Sequence, residues 1–181
     1  MRSFIAIELD SDTKKFLSDI QHKLRLKGIK GNYSRPENFH ITLKFLGDID
    51  LSVFNKVCEI IKKVAISNKS FVLKLNRLGI FNRGKKMIIW SGLKKSNNLL
   101  KVYEDLQKEL EHILPDIERR CFTPHITLLR EANYTAETKD FISDLVLDYQ
   151  FYAAGISLME STRIDGKLTY IRRAYQSFEQ N

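Results

Sequence analysis

One four-residue string occurs twice in this chain, as His40-Ile41-Thr42-Leu43 and as His125-Ile126-Thr127-Leu128, 85 residues apart (125 − 40 = 85). Imidazole titrates near neutrality, so of two histidines one can wait neutral as a general base and the other protonated as a general acid. A threonine hydroxyl can donate a hydrogen bond to a non-bridging phosphoryl oxygen and stabilise charge there. In-line displacement at phosphorus requires an acid and a base on opposite sides of the phosphate, and two facing copies of one motif would supply them. A single His-x-Thr is ordinarily the polar face of a strand. An identical repeat in two matching half-chains is not explained that way. Neither motif contributes a second His, a Cys or a carboxylate to complete a metal-ligand set, so the chemistry is expected to run with no metal and no other cofactor. The remaining histidines, His22 and His112, fall in predicted helices without matching neighbours and are read as surface residues.

Both motifs lie in predicted strands, where side chains alternate between faces. His40, Thr42 and Lys44 then share one face, and Ile41, Leu43 and Phe45 the other, which must go to the core. His125 and Thr127 likewise oppose Ile126 and Leu128. The same alternation turns Arg130 away from His125, so Arg130 can bind phosphate only if a bulge or the strand end frees it; otherwise it is a plain surface arginine. Lys44 lies roughly 13 Å along the strand from His40 and is expected to meet a neighbouring phosphate or solvent. Tyr33, Phe39 and Trp90 could stack a base, with core packing the expected role of each.

The elements around the motifs follow from periodicity and punctuation. Phe4 to Leu9 reads as a buried strand, and Asp10-Ser11-Asp12 offers an N-cap to a helix with Phe16, Leu17, Ile20 and Leu24 at helical spacing, ended by Gly28 and Gly31. Phe39 to Leu46 is a strand stopped by Gly47-Asp48, and a helix with Leu51, Phe54, Val57, Ile61 and Val64 on one face follows. Residues 71–79 and 86–92 form a strand pair around Asn82-Arg83-Gly84-Lys85. A third helix runs from Ser96 to Leu114 before Pro115, Phe122 to Leu129 is a strand, 136–147 a fourth helix, and 149–160 and 168–176 are two strands around Asp165-Gly166. Each half-chain thus holds a short strand, a helix and a strand pair, which points to a duplicated lobe. The expected fold is α+β: two pseudo-symmetric lobes of largely antiparallel sheet with helices on the outer faces, one two-lobed domain over residues 1–181, and a cleft between the lobes where the two motifs converge across a pseudo-twofold.

The chain has 181 residues, 43% hydrophobic and 29% charged, with 30 Lys plus Arg against 22 Asp plus Glu, a formal net charge of +8. That length excludes a large multidomain machine, and the charge favours a polyanion partner without naming a site. Two isolated cysteines, Cys58 and Cys121, make neither a disulfide framework nor a zinc spacing, and are read as reduced thiols of a cytoplasmic protein. Glu8 and Asp10 interrupt the first apolar stretch, so no signal peptide is expected, nor any membrane span.

The stretch Arg35-Pro36-Glu37-Asn38-Phe39-His40-Ile41-Thr42-Leu43-Lys44-Phe45-Leu46-Gly47, with Phe122-Thr123-Pro124-His125-Ile126-Thr127-Leu128-Leu129-Arg130, resembles the RNA 2′,3′-cyclic phosphodiesterases, once called 2′-5′ RNA ligases, of the two-histidine phosphoesterase superfamily. The opening Met1 to Leu9 and the late Leu158 to Tyr170, with Ser161, Gly166 and Tyr170, resemble that family too. The resemblance implies opening of a terminal 2′,3′-cyclic phosphate to a 2′-phosphate, with His40 as proton donor to the leaving 3′-oxygen, His125 as the base that activates water, and Thr42 and Thr127 as phosphate-binding residues. It also implies the reverse reaction, 2′-5′ joining of a 5′-hydroxyl end without ATP. The partner expected is RNA or a nucleotide with a cyclic-phosphate end, the molecule a monomer. Relatives with the same motifs trim RNA 3′ ends or open small cyclic nucleotides, and a basic RNA-binding module with idle motifs is the reading from another class.

Overall fold

The computed structural model describes residues 1–117, 121–133 and 135–180. Its elements are β1 (Arg2–Glu8), α1 (Ser11–Leu26), β2 (Asn32–Tyr33), a 3-10 turn (Pro36–Asn38), β3 (His40–Asp48), α2 (Leu51–Ile66), β4 (Phe71–Arg83), β5 (Lys86–Leu93), α3 (Asn97–Glu111), β6 (His125–Asn133), α4 (Ala136–Asp144), β7 (Gln150–Ala153), β8 (Gly155–Ile164) and β9 (Lys167–Ser177). Each helix begins at a side-chain cap: Asp10, Asp50, Ser96 and Thr135 accept from the backbone N–H three residues on, satisfying a donor that the first turn leaves unpaired. The β8–β9 turn has Asp165 at φ 50° and Gly166 at φ 74°, the two left-handed residues of a tight hairpin.

Two antiparallel sheets result, in the orders β3-β1-β8-β9 and β2-β6-β5-β4-β7. The lobes are therefore not the half-chains. The hairpin β4–β5, which follows the first motif strand, joins the sheet of the second motif strand, and β8–β9 at the far end of the chain joins the first. The strand expected over 149–160 is two strands broken at Ala154, β7 on the edge of one sheet and β8 inside the other, and the fourth helix ends at Asp144 rather than 147. The two-residue strand β2 was not expected. It is too short to show any periodicity.

The core is one continuous cluster fed by both sheets and all four helices, including Leu17 and Ile20 of α1, Val57 and Ile61 of α2, Leu99 and Leu106 of α3 and Ile142 of α4. Ile41, Leu43, Ile126 and Leu128 are buried in it, as the alternation requires. The opposite face of the first sheet carries a small separate cluster of Phe4, Ala6 and Met159 with Tyr170 against it. No helix among the described residues is long and apolar enough to cross a membrane.

Candidate active site

Strand β3 pairs with β1, and β6 with β5, and both pairs slip by one residue at the same place. Ala6 lies opposite Thr42 and Ile5 opposite Lys44, so Leu43 is an extra residue. Trp90 lies opposite Thr127 and Ile89 opposite Leu129, so Leu128 is another. A bulge of this kind inverts the faces of all that follows. Lys44, expected on the His40 face to meet a neighbouring phosphate or solvent, is turned inward instead: it is 7% exposed, donates to the Gln107 carboxamide of α3 and lies 5.7 Å from the Tyr103 ring. Phe45, expected in the core, is 71% exposed. Arg130 is freed by the bulge and by a second irregularity, where Arg130 and Glu131 together face Ile88, with Glu131 at φ 52°. It reaches the same side as His125 and Thr127.

The second bulge is pinned from behind. The Leu128 carbonyl accepts from the Ser34 N–H at 2.9 Å and from Gln21 Nε2 at 2.8 Å, while Gln21 Nε2 also donates to the Ser34 carbonyl at 2.8 Å. Gln21 is buried, so a helix side chain adds a second donor to that carbonyl and ties it to the Ser34 carbonyl beside it. Gly31 packs directly on the kinked segment: a Cβ there would stand 2.8 Å from the Arg130 carbonyl oxygen.

The two histidines are held in the same way. His40 Nδ1–H donates to the Asn38 carbonyl at 2.7 Å, and His125 Nδ1–H to the Thr123 carbonyl at 2.8 Å. A carbonyl can only accept, so each Nδ1 keeps its hydrogen and each Nε2 is the atom free to exchange a proton. His40 Nε2 lies 2.9 Å from Thr42 Oγ1, which donates to it while the ring is neutral. Aromatic rings flank both: Phe4 at 4.8 Å and Tyr170 edge-on at 5.0 Å around His40, Trp90 at 5.8 Å and Phe81 edge-on at 5.0 Å around His125. Trp90 keeps its position because Gly79 has no side chain; a Cβ on Gly79 would come within 2.2 Å of the indole.

Burial in these aromatic walls disfavours the charged imidazolium and pushes the His40 pKa down to about 4. The positive charges of Arg130 and His125 push the same way, while the Asn38 carbonyl and the Glu8 carboxylate oppose them. His125 is lowered too, by burial first and then by Arg130, with the Thr123 carbonyl opposing. Both rings thus favour the neutral form at pH 7.

One asymmetry separates the two sites. Glu8 lies directly opposite His40 across the β1–β3 ladder, whereas Gly92 lies opposite His125. The Glu8 carboxylate accepts from Arg172 Nε at 2.6 Å and Nη2 at 2.9 Å, and from the Ser157 hydroxyl. Burial raises its pKa, but those bonds and the arginine charge outweigh burial and hold it below the usual carboxylate range. Sequence reading noticed Glu8 only as a charge in an apolar strand. Its register opposite His40 was the missing signal.

His40, Thr127, Arg130 and Tyr170 line one cleft of about 830 Å³ drawn from both sheets. The cleft lining includes His40, Thr127 and Arg130; Thr42 is bonded to His40 Nε2, and His125 lies close enough to Arg130 and His40 for their charges to act on one another. Phe39 goes to the core, and Tyr33 lines the cleft with its hydroxyl donating to the Ile29 carbonyl at 2.7 Å. His22 and His112 are exposed. Among the described residues no group of three or more His, Cys, Asp or Glu is arranged to hold a metal ion.

Two antiparallel sheets with a His-x-Thr strand in each, converging on one cleft, define a two-histidine phosphoesterase fold. The profile of the LigT-like phosphoesterases matches residues 7–90. An RNA 2′,3′-cyclic phosphodiesterase of Thermotoga maritima is 33% identical over 146 residues, 80% of this chain and 78% of that protein, and one of Methanocaldococcus jannaschii is 31% identical over 169 residues, 90% and 92%. The chain belongs to this family of LigT-like RNA 2′,3′-cyclic phosphodiesterases. Its fold is that of Escherichia coli LigT, with a TM-score of 0.84 over 99% of this chain and 98% of that one at 21% identity; the same E. coli protein has been crystallised with 3′-AMP.

Proposed function

We propose that this protein hydrolyses RNA 2′,3′-cyclic phosphate ends to 2′-phosphates. The observation that carries the reading is the matched pair of imidazoles, each locked through Nδ1–H to a carbonyl two residues back so that Nε2 is the working atom, with a threonine two residues on from each and one arginine beside them. The relatives are named RNA 2′,3′-cyclic phosphodiesterases, which supports the substrate of this reading.

In the step, His125 Nε2 takes a proton from water as its oxygen bonds to phosphorus. The bond from phosphorus to the 3′-oxygen breaks, and His40 Nε2–H protonates that oxygen, leaving a 2′-phosphate and a free 3′-hydroxyl. His125 ends protonated and His40 neutral, and solvent restores the starting state. Thr42, Thr127 and Arg130 hold the non-bridging oxygens, where charge grows in the transition state. Burial favours neutral His40, and a bound phosphate anion would favour the protonated form that the step needs. No metal or other cofactor takes part in the reaction so written.

The whole chain is read as one two-lobed unit, a reading supported by sheets that each combine strands from both halves of the sequence. Its two unpaired cysteines, one half-buried and one exposed, suit the cytoplasm.

The test is product analysis on an RNA oligomer with a 2′,3′-cyclic phosphate end, with and without EDTA. A 2′-phosphate product formed equally in both is expected. A 3′-phosphate product would reverse the leaving group, and activity lost to EDTA and restored by Mg²⁺ or Zn²⁺ would overturn the metal-free dyad. Turnover of a nucleoside 2′,3′-cyclic phosphate with none of the oligomer would move the reading to small nucleotides, and RNA binding without turnover of either would make the protein a binding module.

A further inference from the structure

Besides Arg130 at the histidines and Arg35, whose guanidinium is bonded to Leu168 and Thr169, the cations lining the cleft are two pairs at two hairpin tips. Arg83 and Lys86 close the β4–β5 hairpin of one sheet, and Arg163 and Lys167 stand at the β8–β9 tip of the other. Arg83 and Lys86 are cross-strand partners, like charges directly opposite one another, an arrangement that costs stability unless an anion lies between them. Among the described residues neither forms an ion pair, nor do Arg163 or Lys167. Arg163 donates only to the Gly166 carbonyl, which stiffens its own turn. The carboxylates at hand form no ion pair with them among the described residues: Glu131, which also lines the cleft, accepts from Asn32.

The second tip is held in place. Arg35 Nη2 donates to the Leu168 carbonyl at 2.7 Å and to Thr169 Oγ1 at 3.0 Å, Asn38 Nδ2 donates to the same Leu168 carbonyl at 2.9 Å, and the Tyr170 N–H donates to Asn38 Oδ1 at 3.3 Å. The residue whose carbonyl orients His40 therefore also anchors the hairpin that carries Arg163 and Lys167. Lys167 is three strand residues from Tyr170 at the His40 ring, roughly 10 Å, and Lys86 is four from Trp90 at the His125 ring, roughly 13 Å. A mononucleotide cyclic phosphate has its single phosphate at the histidines and brings no second charge to either tip.

We propose that the two hairpin tips form a clamp for the backbone phosphates upstream of the reacting end, so that the preferred substrate is single-stranded RNA of several nucleotides rather than a mononucleotide. This rests on the reading of the histidine site as a cyclic phosphodiesterase. The clamp has one jaw from each sheet, and because the strands are exchanged, neither jaw lies in the sheet of the motif strand that precedes it in sequence.

The experiment compares the wild type with Arg83→Gln/Lys86→Gln and Arg163→Gln/Lys167→Gln. Each is assayed for kcat/KM on a cyclic-phosphate oligoribonucleotide and on a nucleoside 2′,3′-cyclic phosphate, and for equilibrium binding of a labelled 2′-phosphate-ended oligoribonucleotide across a salt series. Each double variant should lose about tenfold or more on the oligomer and keep mononucleotide turnover. The slope of log affinity against log salt should fall by roughly 1.4 for each pair removed, at about 0.7 per contact with a single strand. Equal losses on both substrates, or unchanged oligomer turnover and binding, would overturn the clamp. A wild type that binds the oligomer through these residues yet turns over neither substrate would support the clamp and sink the phosphodiesterase reading instead.

Discussion

Phe45 and Arg130 occupy equivalent places in the two motif strands, each five residues past its histidine (45 − 40 and 130 − 125) and each delivered to the open face by a bulge at the preceding leucine, Leu43 or Leu128. The two half-sites thus share their histidine, their threonine and a bulge at the leucine that follows it, and at this position one carries an apolar ring and the other a cation. Arg130 is the charge felt by both imidazoles. Replacing it by glutamine should lower kcat/KM on the order of 10²–10³, the usual loss when one donor to a developing oxyanion is removed, with little change in melting temperature because the side chain is exposed. Lysine should restore only part, since it lacks the planar fork. Steady-state kinetics on a nucleoside cyclic phosphate decide it, and a fully active Arg130→Gln protein would remove Arg130 from the phosphate.

Free-protein pKa values of about 4 for His40 and below 6.5 for His125 place both limbs of the kcat/KM profile on the acid side of 6.5. Because Arg130 lowers both, Arg130→Gln should shift the bell toward alkaline pH, whereas Glu8→Gln, which removes the carboxylate that favours protonated His40, should shift the His40 limb further down. The same depression has a stability consequence. The unfolded chain binds protons that the folded His40 refuses, so this stabilisation is complete above pH 6.5 and is lost as pH falls toward 4. NMR titration of the two rings checks the values, and a His40 midpoint at or above 6.5 would contradict the desolvated site.

Alanine at either histidine should cost on the order of 10²–10⁴ in kcat without unfolding the chain, whose core lies across the sheet. A substrate whose leaving group needs no protonation should rescue His40→Ala far better than His125→Ala. Rescue of His125→Ala instead would exchange the two roles, and full activity of either variant would end the assignment.

Gly79→Ala should act on His125 from a distance. The new methyl occupies the space of the Trp90 indole, which must leave the imidazole, so water gains access and the His125 pKa rises toward its ordinary value. Loss of activity with an altered near-ultraviolet tryptophan signal is expected. An unchanged His125 titration would show that the indole does not set that environment.

Gln21→Leu should destabilise the fold by about 1 kcal/mol, since the Ser34 carbonyl loses the Gln21 donor and the Leu128 carbonyl keeps only the Ser34 N–H, and should lower activity through Arg130. Thermal or denaturant unfolding beside kinetics separates the two effects. A destabilised variant with wild-type kcat/KM would mean the bulge holds without its glutamine.

The sequence by itself determined the candidate site's residues and its supporting faces: the repeated His-x-Thr on two strands, the buried Ile41, Leu43, Ile126 and Leu128 behind it, the helices and the hairpin turns. These are local properties, written in a period of two or of 3.6 and in single turn residues, and they need no knowledge of distant neighbours. Only the tertiary structure decided that Arg130 faces the cleft and Lys44 does not, because a bulge depends on how the partner strand satisfies the hydrogen bonds, and one extra residue reverses every face after it. It also decided that each hairpin serves the other half's motif strand, and that Glu8 stands opposite His40 while Gly92 stands opposite His125. Strand order and register are set by which apolar faces can be buried together across more than a hundred residues of chain, and alternation along any one strand is the same whichever neighbour it takes.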